Sequence, residues 1–353
     1  MKKKLVNLMV LLTSVAICLL FAEVISRIYF GKPMPVKILP QVRYKDHPER
    51  RFTLLPSQNS FTYSSTATVT KEGFRKTREN PINKRQSDYK IFALGDSFTF
   101  GMGVSDEETW PARLEHHLNM NNDKTFDITN GGTISYGVFQ EYNLLKNKGL
   151  STNPNIIIHG LYWNDFMSAS APDENEKSLI TNDGYFVWNQ IPQIDSNLKY
   201  FKHWLLSKSS LLYTIKHAIQ TSTTNAPADG SGYFNKYKQF TKGEMKDEDW
   251  QSVRKFYSDI KTLATKNNIK LYVIIMPVDG LITQKNHPYS IKIEQILSSN
   301  NIKFFNALKY WQMNDLKENT FLPQGFDSHL NADGYEIISK QVSEQILQQL
   351  QLR

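Results

Sequence analysis

The sequence predicts an α/β protein in which a parallel β-sheet is covered by helices on both faces. Three observations carry this expectation. From Tyr89 onward, short apolar runs alternate with longer amphipathic ones, the rhythm of strand–helix–strand units. The short runs are near-continuously apolar, as strands buried on both faces must be. The 353 residues, 40% hydrophobic and 12% aromatic, suffice for one large core with additions and are too apolar for a disordered chain.

The chain opens on Lys2-Lys3-Lys4 followed by an uncharged run, Leu5–Ala22. Eighteen helical residues span ~27 Å, close to the ~30 Å hydrocarbon layer of a bilayer. The lysines should stay on the cytoplasmic side, leaving the rest outside. Residues 1–30 are therefore expected to be an uncleaved, single-pass signal anchor, with the remainder periplasmic or extracellular. A cleaved signal peptide is the alternative, but Phe21-Ala22-Glu23-Val24-Ile25-Ser26-Arg27 offers a poor cleavage site. A lipoprotein signal would need a small residue before Cys18, and Ile17 stands there.

Residues 31–88 read as a small β-containing extension. Pro33, Pro35, Pro40, Pro48 and Pro56 break its first part. The run Ser60–Thr70 is rich in strand formers, and Lys71-Glu72-Gly73-Phe74-Arg75 reads as a turn after it. The main domain, residues 89–353, then supplies strand candidates Lys90–Leu94, Thr125–Thr129, Asn155–Gly160, Ile269–Met276 and Lys303–Phe305. Helix candidates are Glu107–Met120, Val138–Lys148, Asp247–Asn267, Tyr289–Ser299 and Ala332–Leu350. The last carries Ile337, Ile338, Val342, Ile346 and Leu350 at helical spacing. An insertion at 166–245 interrupts this rhythm. It holds an aromatic helix-like piece, Leu198–Ile219, and a loop-like stretch, Thr221–Gly232. An insertion beside strand ends can serve as a lid or simply close onto the core; the sequence weighs these equally.

The net charge is +8, and the part of the chain after Arg27 holds +5 of it. Lysines and arginines are scattered with no basic block, so no nucleic-acid partner is expected. The single cysteine, Cys18, lies in the apolar N-terminal run, which leaves the folded part without a disulfide, a thiol nucleophile or a cysteine metal site.

Candidate chemistry lies at the strand ends. Leu94-Gly95-Asp96-Ser97-Phe98 follows the first core strand, so Ser97 falls at the carboxyl edge where open parallel sheets bind ligands. A serine hydroxyl needs a base. His329, in Asp327-Ser328-His329, has the best setting of the eight histidines, with Asp327 two residues away. Asp333 is a second carboxylate within reach in sequence, and more naturally belongs to the first turn of the final helix. The loop Asn130–Gly137 after the second strand is rich in small residues able to present backbone N–H groups. After the third strand, the Asn164 amide could point inward. Both are candidate donors to an oxyanion.

These blocks, in this order, resemble the SGNH (GDSL-type) hydrolase superfamily: Gly95-Asp96-Ser97, the Asn130–Gly137 loop, Asn164, and Asp327 with His329, across about residues 89–350. The anchor, the short β region and the Gly73-Phe74-Arg75 turn resemble its bacterial membrane-anchored members. The resemblance implies a flavodoxin-like three-layer α/β/α fold, no metal or other cofactor, and ester hydrolysis or acyl transfer. It implies Ser97, His329 and Asp327 as the triad, and the Ser97 N–H, a second-block N–H and Asn164 as the oxyanion hole. Ser135 stands where the second block usually has glycine, with Gly132 and Gly137 as alternatives. The Asp-x-His spacing is shorter than the common Asp-x-x-His and is similar to that of members handling polysaccharide acetyl groups. The expected substrate is thus an O-acyl, chiefly O-acetyl, envelope or secreted polysaccharide. A lipase or thioesterase on acyl-chain esters, and a non-catalytic polysaccharide-binding or scaffold protein, are the alternatives.

Overall fold

A computed structural model of the protein describes residues 2–30, 41–63, 65–77, 87–120, 123–168, 178–186, 197–212, 214–215, 219, 232–316, 318–322 and 328–349. The N-terminal run forms one helix, α1 (Lys2–Phe30), continuing two turns past the uncharged segment. Its apolar side chains, Leu5, Leu12 and Leu20 among them, are exposed. It is the one helix among the described residues long and apolar enough to cross a membrane.

Two antiparallel hairpins follow: β1 (Tyr44–His47) with β2 (Arg51–Leu54), and β3 (Gln58–Thr62) with β4 (Ser65–Val69). The run rich in strand formers, Ser60–Thr70, is mostly a hairpin folded back after Tyr63, whose φ of +56° makes the turn. Sequence reasoning missed β1 and β2. They are held by tertiary packing, with Tyr44 and Phe52 against Phe186 at 4.4 and 4.9 Å between ring centres.

The main sheet has five parallel strands: β5 (Tyr89–Gly95), β6 (Phe126–Asn130), β7 (Ile156–Leu161), β8 (Lys270–Ile275) and β9 (Lys303–Asn306). Their spatial order is β6-β5-β7-β8-β9. Counted within the sheet this is 2-1-3-4-5, the flavodoxin-like order, whose direction of winding reverses between β5 and β7. All five strands lie within two residues of the ends expected for them. Ile91, Phe92, Ala93 and Leu94 of β5 are at most 2% exposed, which fits a strand covered on both faces. Burial of each large apolar side chain here contributes ~1.5–3 kcal/mol.

Short α2 (Ser97–Phe100) follows β5 directly. Helices α3 (Trp110–Met120), α4 (Val138–Asn147), α5 (Asn197–Lys208), α6 (Gly232–Thr241), α7 (Asp247–Lys266), α8 (Pro288–Ser299), α9 (Ala307–Met313) and α10 (Ala332–Gln349) follow in chain order. The helix expected from Glu107 is divided. Thr109 is extended, with φ −66° and ψ 150°, so α3 starts at Trp110 with Pro111 in its first turn, where a missing N–H costs nothing. α3 and α10 pack together on one face, joined by Ser339 Oγ to the Trp110 carbonyl at 3.2 Å. α4, α7 and α8 cover the other face.

Within the insertion, α6 is closed onto the core: Phe240 is 1% exposed and stacks on Trp163 with 4.7 Å between ring centres. Most of the loop-like stretch Thr221–Gly232 lies outside the described residues.

Candidate active site

Gly95 ends β5 with φ +151°, and a Cβ there would lie 2.2 Å from Thr99 Oγ1 and 2.8 Å from the Gly160 carbonyl. Only glycine lets the chain turn this sharply between two packed strands. Asp96 then caps α2: its Oδ1 accepts the Phe98 N–H at 2.8 Å. This sets Ser97 at the first helical position, 5% exposed, at the crevice where the winding of the sheet reverses.

His329 reaches the same point from the far end of the chain. Its Nε2 lies 2.7 Å from Ser97 Oγ. The loop bearing it is firmly tied. The Leu322 N–H donates to the His329 carbonyl at 2.8 Å, and Phe321 bridges Leu330. Asn331 Nδ2 donates to the carbonyls of Asn319 and Phe321, and its Oδ1 accepts the Gly334 N–H as the cap of α10. The imidazole is also held face to face: Phe98 stacks on it at 4.5 Å and 25°, and Tyr162 stacks on Phe98 at 3.8 Å. Asp327 lies outside the described residues. Asp333 sits in the first turn of α10.

The Ser97 hydroxyl also contacts Asp96 Oδ2 at 3.2 Å. One hydroxyl proton cannot serve both partners. When it goes to His329 Nε2, the facing Asp96 oxygen is best matched if it carries a proton itself. Burial, with Glu141 nearby adding to it against the Phe98 N–H, pushes the Asp96 carboxyl up to about 6.

Two loops flank this point because β6 and β7 flank β5. After β6, the Gly131 N–H donates to the Ala93 carbonyl, the Gly132 N–H to Asn130 Oδ1, the Thr133 N–H to the Gly95 carbonyl and the Gly137 N–H to Gln140 Oε1. The amides of Gly132 and Gly137 are thus already engaged. Gly132 has a different reason to be glycine: a Cβ would lie 2.1 Å from the Phe100 nitrogen, in the backbone of α2. Ser135 is exposed at the tip of this loop with φ +66°, the left-handed conformation that glycine adopts most readily. After β7, Asn164 is half-buried in a 3₁₀ turn, Trp163–Ser168, and its Oδ1 is buried with no partner among the described residues.

Behind these loops lies a polar cluster that sequence reasoning missed. His159 of β7 bonds through Nε2 to Glu141 Oε2 of α4 and through Nδ1 to the Tyr257 hydroxyl of α7, both at 3.0 Å. Asp165 Oδ2 accepts the Tyr162 N–H at 2.7 Å. Glu141, His159 and Asp165 are fully buried, each with a ligand-type atom within 4.8 Å of the others. Glu141 Oε1 and Asp165 Oδ1 have no partner among the described residues. Desolvation, then Glu141 and Asp96, raise the Asp165 carboxyl well above the usual range. For the trio to hold a cation, His159 would have to give up one of its two ring-nitrogen bonds, to Glu141 or to Tyr257. The signal in the sequence was a lone histidine within the strand Ile156-Ile157-Ile158-His159-Gly160-Leu161, which demands a buried polar partner.

Solved structures similar to this chain include an acetyl xylan esterase, AlAXEase. It is 16% identical, with a TM-score of 0.42, covering 72% of this chain and 99% of that one. A lipase/acylhydrolase from Enterococcus faecalis is 11% identical, with a TM-score of 0.41, covering 75% of this chain and 97% of that one. No curated protein matches the chain. The model of the GDSL-like lipase/acylhydrolase family matches residues 91–342, more than half of the sequence. With a flavodoxin-like sheet and a serine at its winding reversal, this chain belongs to the GDSL-like lipase/acylhydrolase family and is a carboxylic ester hydrolase.

Proposed function

We propose that the protein is a membrane-anchored, outward-facing serine esterase or O-acyltransferase acting on O-acyl, chiefly O-acetyl, groups of an envelope or secreted polysaccharide. The observation that carries the catalytic part is the 2.7 Å approach of His329 Nε2 to Ser97 Oγ at the carboxyl edge of β5. Ser97 Oγ attacks the ester carbonyl as His329 Nε2 takes its proton, and Asp327 orients the imidazole and stabilises its charged form. The N–H groups of Ser97 and Ser135 and the amide of Asn164 receive the oxyanion. Collapse returns the proton from His329 to the departing sugar hydroxyl and leaves an acyl-serine. Water then releases the acid, or a second hydroxyl takes the acyl group, with His329 again accepting the attacking proton.

The anchor supports an envelope location, and the Asp327-x-His329 spacing supports an acetylated sugar. The test compares the full chain in detergent with Ser97→Ala on acetylated polysaccharide and on short- and long-chain p-nitrophenyl esters, alongside a serine-reactive fluorophosphonate. Acetate release with probe attachment at Ser97, both lost in the variant, is the expected result. Preference for long acyl chains would replace the polysaccharide reading with a lipase or thioesterase. Full activity of Ser97→Ala would overturn the triad.

A further inference from the structure

The end of α1 grips the insertion as well as leading into the extension. Glu23 is the first charged residue after the run Leu5–Ala22. Its carboxylate accepts the Ser209 hydroxyl at 2.7 Å and the N–H groups of Ser210 and Leu211, each at 3.0 Å. Those amides open a second helical segment that starts at Ser210. One turn along α1, Arg27 Nη2 donates to the Lys208 carbonyl at the end of α5 at 2.8 Å, and Arg27 pairs with Glu23. Ser26 Oγ lies 3.2 Å from Thr214 Oγ1. An acid thus meets the start of one helix and a base the end of the other, each matching the local dipole.

The two helical segments meeting there carry large apolar side chains on their exposed surface. On α5 these are Leu198, Phe201 and Trp204, which are 76%, 53% and 41% exposed. On the following segment they are Leu212, Ile215 and Ile219, at 41%, 47% and 58%. Spacings of three residues put Leu198, Phe201 and Trp204 along one side of α5, and Leu212 with Ile215 on one side of the segment after it. Lys202 and Lys208 are exposed beside them. Large aliphatic and aromatic side chains on one face, with lysines alongside, is the composition of helices that lie in a membrane surface.

We propose that α5 and the segment after it form an interfacial element whose apolar side enters the outward-facing leaflet, so that the lipid bilayer is the partner of this surface. The argument for lipid is continuity. The joint is made by Glu23, Ser26 and Arg27, which follow immediately on the apolar length of α1, so it sits at the height where that length ends. The proposal rests on the reading of α1 as a membrane span. Its consequence is that the catalytic domain is docked to its anchor through the insertion, at a fixed height above the bilayer.

The test uses the full chain with Cys18→Ser, reconstituted in phosphatidylethanolamine–phosphatidylglycerol vesicles. Single cysteines replace Leu12, Leu198, Ile215 or Lys255, each labelled with bimane. Lys255 is a water-facing control on α7, its side chain 76% exposed. Retained hydrolysis of p-nitrophenyl acetate shows that each variant is folded. At Leu198→Cys and Ile215→Cys, nitroxide lipids should quench several-fold more strongly than at Lys255→Cys, and aqueous iodide should quench several-fold less. Iodide quenching at 198 and 215 while position 12 responds to lipid would overturn the proposal alone and leave the anchor standing. Protection of 198 and 215 from both quenchers would mean that protein covers the surface, which also overturns it. Failure of lipid quenching at position 12 would overturn the anchor and the proposal together.

Discussion

The ring of Phe98 lies 4.5 Å from that of His329 and 25° from parallel, so the residue following Ser97 braces the imidazole that faces the Ser97 hydroxyl. Tyr162 backs Phe98 in turn at 3.8 Å. The imidazole is fixed by packing as well as by hydrogen bonds. Phe98→Leu keeps an apolar side chain there while removing the flat face. We expect kcat to fall about tenfold with little change in KM, because small misplacements of a catalytic group act on the barrier rather than on binding. Steady-state kinetics checks this; a change confined to KM would place Phe98 in the substrate pocket.

Asn164→Ala is expected to lower kcat by ~10²–10³ with a smaller effect on KM, the behaviour of a donor whose bond tightens in the transition state. Circular dichroism should show an unchanged fold. A loss in KM alone would make Asn164 a substrate-binding residue.

Ser135 tests whether a backbone or a side chain acts. With φ at +66°, glycine suits the position at least as well as serine. Ser135→Gly should therefore retain activity, since the N–H remains. Ser135→Val should lose about 1–2 kcal/mol of stability through left-handed strain. Thermal melts and esterase rates read both. An inactive, folded Ser135→Gly would assign the role to the hydroxyl.

Asp96 gives a pH dependence of stability. Its carboxyl is raised to about 6 in the folded protein. The folded state keeps a proton that the unfolded chain releases near ~3.9. The stabilisation is complete below about pH 4 and is lost as pH rises through about 6. Asp96→Asn keeps the acceptor for the Phe98 N–H and has no proton to lose. Its stability relative to the wild type should improve by about 2–3 kcal/mol between pH 4 and 6.5 in urea unfolding. A difference that is flat with pH would show that Asp96 titrates normally.

Two carboxylates compete for the role beside His329. Asp333 lies in the first turn of α10, where it favours the helix dipole. Asp327→Asn should cut kcat by orders of magnitude with the fold intact, and Asp333→Asn should cost at most about 1 kcal/mol of stability with activity kept. The reverse result would reassign the third member of the triad.

The central sheet was readable because each buried parallel strand is a compact apolar run, such as Ile91-Phe92-Ala93-Leu94, with no alternation to confuse it. The pairing of Ser97 with His329 was readable from order along the chain, since a serine after the first strand needs a base and few histidines stood in a loop before a helix. What escaped was set in three dimensions. β1 is only four residues, Tyr44-Lys45-Asp46-His47, and owes its place to Phe186 rather than to propensity. The turn at Tyr63 uses no glycine or asparagine to announce itself. The Tyr162–Phe98–His329 stack joins three distant segments, and no local pattern encodes it. His159, Glu141 and Asp165 were visible singly, but their convergence depends on how α4 and the loop after β7 cross the sheet.

Arg75 sits in the extension with its side chain fully buried. Its five guanidinium N–H groups are matched by five contacts: Asp106 Oδ1 and the carbonyls of Phe100, Gly101, Thr66 and Val104. Three of those carbonyls belong to the end of α2 and the loop after it. The family match begins at residue 91, beyond this arginine. A fragment cut at that boundary would strand several acceptors at the end of α2 and in the loop after it, each costing about 1–3 kcal/mol if left buried. The smallest unit able to present Ser97 in this setting therefore starts upstream of Arg75, and a protease nick between the hairpins and β5 would disturb α2 only if the segment bearing Arg75 could leave.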